Sequence, residues 1–243
     1  MKLLIAIPCL NEAANIAKVI YQVPAHIKGI SDTTILVIDD GSTDNTSEIA
    51  REAGAIVIKH RGNRGVGSAF YTAVNYAIEN SYDIMVNIDG DGQFNPADIT
   101  KLISPIINSN SDFVTASRFI DKAYTPKMPK IKLIGNHMMS SLVSSLCGQK
   151  FYDVSCGFRA YSRETLLQLN LQGAFTYTQE TFIDLASKKL TIVEVPVEVR
   201  YFNDRTSRVA KSISKYAVNT FMIITRIYRD YYPFKFFGTI SLI

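Results

Sequence analysis

The strongest constraint on the fold is a rhythm along the chain. Short β-branched or apolar runs alternate with helical stretches, and several runs end in acidic residues and glycine. The first run is Lys2 to Ile7, closed by Pro8, and it reads as a buried strand because it is too short for a secretion signal. Thr33 to Ile38, Ala55 to Ile58, Asp83 to Ile88 and Asp112 to Ala116 repeat the pattern. Between them lie apolar residues at helical spacing, such as Ile16, Val19, Ile20 and Val23 before Pro24, with Asn11 or Asn15 as the cap. Asp44 or Asn45 caps a short helix ending near Ala53, a longer helix runs from Gly67 to about Glu79, and Pro96 opens another. This βαβ alternation predicts an α/β fold, a Rossmann-like and mostly parallel central sheet flanked by helices. Beyond it the spacing predicts a mobile loop over 120–135, helices near 131–146 and 177–188, and a strand from Thr191 to Arg200.

Ligands of such sheets bind beyond the carboxyl ends of the strands. Three segments fall there: Pro8-Cys9-Leu10-Asn11-Glu12, Asp39-Asp40-Gly41-Ser42 and Asp89-Gly90-Asp91. Asp89 and Asp91 can converge on one cation through a turn at Gly90, and Gln93 adds a neutral oxygen. Oxygen ligands suit a hard ion, Mg²⁺ or Mn²⁺, which commonly also takes substrate phosphates. The ordinary alternative is a pair of solvated turn carboxylates, and a D-x-D alone is a weak signal. Its place after an apolar strand, near a second acidic strand end, strengthens it. Of Asp39 and Asp40, one fits a helix cap and the other an acceptor for a nucleobase or ribose. Gly62-Asn63-Arg64-Gly65-Val66-Gly67 opens a helix and reads either as an anion cradle or as an ordinary glycine turn.

Composition removes other classes. The 243 residues are 47% hydrophobic and 20% charged, a globular balance that excludes a disordered or fibrous chain. Cys9, Cys147 and Cys156 form no C-x-x-C, and His26, His60 and His137 lie at no finger spacing, which argues for reduced thiols in a cytosolic compartment and against zinc. The net charge is +4, yet residues 200–243 alone carry eight Lys or Arg against Asp204 and Asp230. That concentration excludes nucleic acid as a general partner and points to a local anion, a diphosphate or a lipid surface.

In order along the chain, Pro8-Cys9-Leu10-Asn11-Glu12, Asp39-Asp40-Gly41-Ser42-Thr43-Asp44, Gly62-Asn63-Arg64-Gly65, Asp89-Gly90-Asp91-Gly92-Gln93, Ser117-Arg118, Ser155-Cys156-Gly157-Phe158-Arg159 and Glu194-Val195-Pro196-Val197 resemble glycosyltransferase family 2, enzymes of the GT-A fold. The closer resemblance is to polyprenyl-phosphate sugar transferases of the dolichol-phosphate mannosyltransferase type, over about residues 1–215. It implies an inverting, metal-dependent transfer from a nucleotide-sugar of GDP-mannose or UDP-glucose type to a polyprenyl phosphate. By the same resemblance Pro8, Leu10, Asn11, Glu12, Asp39, Asp40 and Gly65 would hold the nucleotide. Asp89, Asp91 and Gln93 would hold the metal, and Asp89, Asp91 and Arg118 would carry catalysis. Arg118, Lys130 and Lys132 would meet the acceptor phosphate, while Arg205, Arg208 and Lys211 would close over the donor. This chain departs from the family in having Val66 where a lysine is common, and lysines where the acceptor loop commonly has arginine, which are not equivalent phosphate ligands. It contains no Trp, so it lacks the Gln-x-x-Arg-Trp motif of processive polysaccharide synthases.

A lipid phosphate is largely dianionic at neutral pH, since its second pKa is about 6, and needs little help from a base. A hydroxyl acceptor would need one, and Asp153, Glu180 and Asp184 are the candidates, each with a structural role as the alternative. On a wheel of residues 211–231, Lys211, Lys215, Arg226 and Arg229 share an arc of about 60° opposite Ile213, Ala217, Phe221, Ile224, Ile227, Tyr228 and Tyr231. The stripe fits either an anionic membrane surface or an ordinary helix packed on the domain. We therefore expect a catalytic domain over 1–209, an amphipathic helix over 210–233, and an apolar tail over 234–243 that begins a transmembrane segment in a longer parent chain. The expected place is the cytosolic face of a membrane, peripheral for these 243 residues. The competing readings are a transferase acting on a saccharide or protein hydroxyl, and a non-catalytic nucleotide-binding module that recruits partners to membranes.

Overall fold

The computed structural model describes residues 1–171, 177–200 and 213–241, with the side chains of 213–220 and 239–241 not included. Strands β1 (Lys2–Cys9), β2 (Asp32–Asp39), β3 (Ile56–Lys59), β4 (Ile84–Asn87), β5 (Phe113–Ser117), β6 (Arg159–Ser162) and β7 (Ile192–Pro196) form one sheet in the order β3-β2-β1-β4-β6-β5-β7. β1 pairs in parallel with β2 and β4, β2 with β3, and β5 with β7. The expected parallel, Rossmann-like sheet is therefore present over most of its width. The exception is β6, which lies between β4 and β5 and runs antiparallel to both. Sequence pattern did not mark β6, because Arg-Ala-Tyr-Ser lacks the apolar run of the other central strands.

Helices cover both faces. Along β1, Leu3, Ile5, Ile7 and Cys9 point to one layer and Leu4 and Ala6 to the other, the period of two expected for a strand. The first layer holds α1 (Ile16–Tyr21), α2 (Thr46–Glu52) and α4 (Ile99–Ile107), anchored by Val19, Ala50, Leu102 and Ile103. The second holds α3 (Val66–Glu79), α5 (Lys130–Cys147), α6 (Arg163–Gln168), α7 (Thr178–Ser187) and α8 (Ile213–Tyr231), anchored by Phe70, Val143, Leu166, Phe182 and Ile227. Because Leu3 to Ile7 are covered from both sides, β1 reads as an unbroken apolar run. The 120–135 segment is shorter as a loop than expected, since α5 already begins at Lys130.

α8 packs on α7. Ile224 and Ile227 are buried, and the Tyr231 hydroxyl bonds Asp184, while Arg226 and Arg229 are exposed. The helix is thus docked on the domain with part of its basic stripe in solvent. Phe221 is 60% exposed, unlike Ile224, because it sits at the edge of the apolar stripe beside α9 (Pro233–Ser241). There Phe221, Met222, Phe236 and Phe237 line an open groove together with Arg226 and Arg229. No helix among the described residues is long and apolar enough to cross a membrane.

Candidate active site

The carboxyl ends of β1, β2 and β4 meet at one edge, as parallel pairing requires. Two loops there are stitched together by crossed hydrogen bonds. The Asn11 amide donates to Ser42 Oγ at 2.8 Å, and the Thr43 amide donates back to Asn11 Oδ1 at 2.8 Å. The Glu12 amide donates to Thr46 Oγ1 at 2.8 Å, and the Ala13 amide donates to Asp44 Oδ2 at 3.2 Å. Asn11 takes a left-handed φ of 53°, which Asn tolerates better than most residues. Pro8, Leu10, Asn11 and Glu12 are therefore held in a fixed shape against the loop after β2. Asn45 occupies the cap position of α2, but Asp44 supplies the side-chain bond, to the Thr46 amide at 3.1 Å.

Asp39 and Asp40 both turn inward. Asp39 accepts from the Ser42 amide at 2.7 Å and from the Ser47 hydroxyl, with Lys59 at 3.6 Å. Burial opposes its ionisation, but the Ser42 and Ser47 bonds and the lysine outweigh this, so the carboxyl lies below its ordinary range. Asp40 accepts from the Arg64 amide at 2.9 Å and the Gly65 amide at 2.8 Å, with His60 Nδ1 at 2.7 Å. Of the two readings of the glycine-rich loop, the hydrogen bonds to Asp40 favour the turn over the anion cradle. The amides of Arg64 and Gly65 are spent on a carboxylate of the protein itself, so they serve loop closure. Gly41 allows that closure: a Cβ on it would meet the Gly62 backbone at 2.6 Å.

The Asp89-Gly90-Asp91 turn follows β4 and lies against the end of β1. A Cβ on Gly90 would stand 2.4 Å from Cys9 Sγ, so only glycine lets the turn pass. A Cβ on Gly157 would fall 3.2 Å from an Asp89 carboxylate oxygen, so the segment before β6 must also approach closely. Burial raises the Asp89 carboxyl to about 7, the charge of Asp91 adds to this, and the Arg118 and Arg159 charges oppose it. Asp91 accepts from the Gln93 amide at 3.0 Å, which curls the turn. Two carboxylates in one turn, one of them raised by burial and by the charge of the other, fit a hard divalent ion. Among the described residues no group of three or more His, Cys, Asp or Glu is placed to hold a metal ion, so Asp89 and Asp91 would supply only part of such an ion's shell. Gly90→Ala should lower stability by about 1–3 kcal/mol through overpacking. Cys9→Ala in the same chain should recover part of that loss. Thermal midpoints of the single and double variants check this, and equal midpoints would refute the packing argument.

Arg118, just past β5, is held in a fork. Its Nε and Nη2 donate to Asp153 at 2.6 and 2.8 Å, and its amide donates to the same carboxylate at 3.1 Å. Burial works against ionised Asp153, but the Arg118 charge and these bonds hold its carboxyl below the usual range. Glu194 of β7 accepts from the Tyr152 and Asp153 amides at 2.8 Å each and so fixes the segment carrying Asp153. Asp153 is therefore an anchor for Arg118, which corrects its candidacy as a base. Asp184 is corrected likewise: it receives Lys188, the Asn170 amide and the Tyr231 hydroxyl, and joins α7 to α8. Glu180 is buried on α7. Lys130 and Lys132 are exposed on the first turn of α5, and Arg205, Arg208 and Lys211 lie outside the described residues.

Sequence reasoning missed the layer beneath this site. Asn87 donates to the Gly157 carbonyl at 3.0 Å and to the Tyr177 hydroxyl at 2.9 Å. Arg159 is fully buried, donates to the Cys156 and Val154 carbonyls, and lies over the rings of Phe113, Tyr177 and Phe182. It makes no ion pair among the described residues, and its charge bears on Asp89. A polar Asn87 inside the apolar run Ile84 to Ile88 was one signal, and the Ser155-Cys156-Gly157-Phe158-Arg159 motif was the other, though neither gave Arg159 its buried place.

A mostly parallel α/β sheet with a paired-aspartate turn at its carboxyl edge is the arrangement expected of the GT-A fold. Residues 4–169 match the sequence model of glycosyl transferase family 2, and the chain belongs to that family. It is 34% identical over 215 residues to the UDP-N-acetylglucosamine–dolichyl-phosphate N-acetylglucosaminyltransferase of Methanococcus voltae, covering 80% of this chain and 84% of the relative. It is 26% identical over 218 residues to the polyprenol monophosphomannose synthase of Mycolicibacterium smegmatis, covering 86% and 80%. The fold matches Mycobacterium tuberculosis glucosyl-3-phosphoglycerate synthase in complex with Mn²⁺, UDP and glucosyl-3-phosphoglycerate, with TM-score 0.68, 20% identity, and 95% and 79% of the two chains covered. The chain is thus a glycosyltransferase of the GT-A fold, related to polyprenyl-phosphate sugar transferases.

Proposed function

We propose that this chain transfers a sugar, with inversion, from a nucleotide-sugar of UDP or GDP type to a polyprenyl phosphate at the cytosolic face of a membrane. The observation that carries the reading is the Asp89–Asp91 turn, packed against Cys9 of β1 and against Gly157, with the charge of the anchored Arg118 bearing on Asp89. Asp89 and Asp91, with Gln93, would hold Mg²⁺ or Mn²⁺. Such an ion would neutralise the charge growing on the departing nucleotide diphosphate. Pro8, Leu10, Asn11 and Glu12, on the loop stitched to the one after β2, would take the nucleoside, with Asp39, Asp40 and Gly65 beside them. Arg118 would orient the acceptor phosphate, and Lys130 and Lys132 would meet it on approach. Arg205, Arg208 and Lys211 would close over the donor.

The phosphate acceptor is favoured over a hydroxyl by the internal use of Asp153 and Asp184, two of the three carboxylates considered as bases. A dianionic phosphate needs no proton removed, so orientation and charge neutralisation can supply most of the rate. Residues 1–209 would form the catalytic unit, 210–233 the amphipathic helix on the membrane surface, and 234–243 an apolar tail.

The test is a panel of GDP, UDP and CMP, each with and without Mn²⁺, read as thermal midpoints. A ligand at 100 times its Kd should add about 2.7 kcal/mol, or roughly 5–10 °C for a chain of this size. One nucleotide should stabilise the chain in a metal-dependent way. If none does, in a folded preparation containing lipid acceptor, the transferase reading fails.

A further inference from the structure

Where β4 ends and β6 begins, one level of the sheet is polar from strand to strand. Asn87 of β4 stands opposite Arg159 of β6, Arg159 opposite Thr115 of β5, and Thr115 opposite Glu194 of β7. Residues opposed in this way project from the same face of a sheet. Asn87, Arg159 and Thr115 are fully buried. The next level on that face, Met85, Tyr161, Phe113 and Ile192, belongs to the apolar core. Three of the four polar side chains hold one segment. Glu194 accepts from the Tyr152 and Asp153 amides at 2.8 Å each. Arg159 donates through Nη2 to the Val154 carbonyl at 3.2 Å and through Nε to the Cys156 carbonyl at 2.7 Å. Asn87 donates to the Gly157 carbonyl at 3.0 Å, and the Ser155 amide donates to Asp153 Oδ1 at 3.1 Å. Every residue from 152 to 157 is thus tied through its backbone, all but Ser155 to the polar row.

The segment spans two parts of the site. At one end Asp153 grips the Arg118 guanidinium and amide. At the other, Gly157 lies so near Asp89 that a Cβ on it would stand 3.2 Å from the carboxylate. Arg159 grips the middle, with the rings of Phe113, Tyr177 and Phe182 centred 5.6, 5.7 and 5.1 Å from its guanidinium carbon. A buried guanidinium carries a desolvation cost that an apolar residue in a central strand would not. Its two bonds fix the backbone between the two ends, which no apolar residue could do. We propose that Arg159 is a positioning residue for both parts: with Asn87 and Glu194 it holds 152–157 as one bar that sets Asp89 and Arg118 at a fixed separation. In its use this bar rests on the metal and acceptor roles proposed for Asp89 and Arg118.

Three variants of the full chain test this. Arg159→Lys keeps the charge but lacks the planar fork that reaches two carbonyls. Glu194→Gln turns an NH₂ toward one of the two amides at the Arg118 end. Asn87→Leu removes the bond at the Asp89 end. Titration calorimetry reads two dissociation constants, one for UDP or GDP with Mn²⁺ and one for a short, water-soluble isoprenyl phosphate. Glu194→Gln should weaken the isoprenyl phosphate about tenfold and leave the nucleotide unchanged. Asn87→Leu should do the reverse, and Arg159→Lys should weaken both. Hydrogen exchange read by mass spectrometry should be faster over 152–157 in Arg159→Lys and unchanged over 3–7, where the core stays folded. A merely structural role would lower the folded fraction and leave both constants as they are. If Arg159→Lys does not fold, the opposite effects of the two end variants still decide. Unchanged constants beside a parent that binds both ligands, or equal losses from the two end variants, would overturn the proposal. A parent that binds neither ligand would instead remove the metal and acceptor roles, and this use of the bar with them, even where exchange over 152–157 changes as expected.

Discussion

Asp89→Asn should abolish transfer, by a factor of about 10³ or more, and at the same time make the metal-free chain more stable at pH 8. Both follow from the same carboxyl, which burial raises to about 7. The native state keeps a proton on Asp89 where the unfolded chain has lost it. Stability therefore falls as pH rises from the ordinary carboxylate range toward neutrality, and the cost is complete above the folded value. Asn carries no such cost. The edge of Asp89 is partly open to solvent, so the gain at pH 8 should be modest, about 1–2 kcal/mol, and should vanish near pH 4. Mn²⁺ with the right nucleotide should reverse the ranking, because it stabilises the ionised carboxyl of the parent and has less to hold in the variant. Thermal midpoints at the two pH values, with and without metal and nucleotide, decide the matter. A variant no more stable than the parent at pH 8 would contradict the burial cost assigned to Asp89.

The second large effect is at Asp153. Asp153→Ala leaves the Arg118 guanidinium beside a void in place of its two-point partner. Breaking a buried ion pair by removing one member costs about 3–5 kcal/mol. The pair's contribution should be complete above the ordinary carboxylate pKa and be lost as pH falls through the depressed one, so the parent and variant converge in acid. Arg118→Met combined with Asp153→Leu should recover much of the stability, because no charge is then stranded, yet should remain inactive because the acceptor phosphate has lost its oriented cation. A double-mutant cycle of unfolding free energies, beside turnover of a lipid phosphate, separates the two roles. Additive stability costs would mean that the fork is not the energetic unit described here.

These two residues also mark how far the sequence could be read. Asp89 and Asp91 stand in one short segment after an apolar strand, so pattern and chemistry coincide and the turn was visible at once. Arg118 was visible as part of a motif, but its partner lies 35 residues away, and nothing local says that Asp153 folds under it. The glycine-rich loop could not be decided between its two readings for a related reason. Gly62 to Gly67 has the composition of an anion cradle, and the carboxylate that fills it, Asp40, arrives from the end of β2. The parallel half of the sheet was legible because Leu3 to Ile7, Leu36 to Ile38 and Ile84 to Ile88 are buried on both faces. β6 was not, since its stability comes from its position between two strands and from the aromatic shell around Arg159.

The reversed strand also sets an order of assembly. Until residues 159–162 arrive, the strand Ile84–Asn87 is the outer margin of the parallel half, and all its side chains are apolar or uncharged. An unguarded margin of that kind invites pairing with a second chain. β5, the next strand made, does not cover it, because its partners are β6 and β7. The vulnerable period thus lasts until a segment more than seventy positions later in the chain closes the gap between the two halves. Such distant closures are slow, so the step that protects the chain from its neighbours is also the one that brings Gly157 against Asp89. A molecule that has joined the two halves of its sheet has, by the same event, closed one wall of its reaction centre.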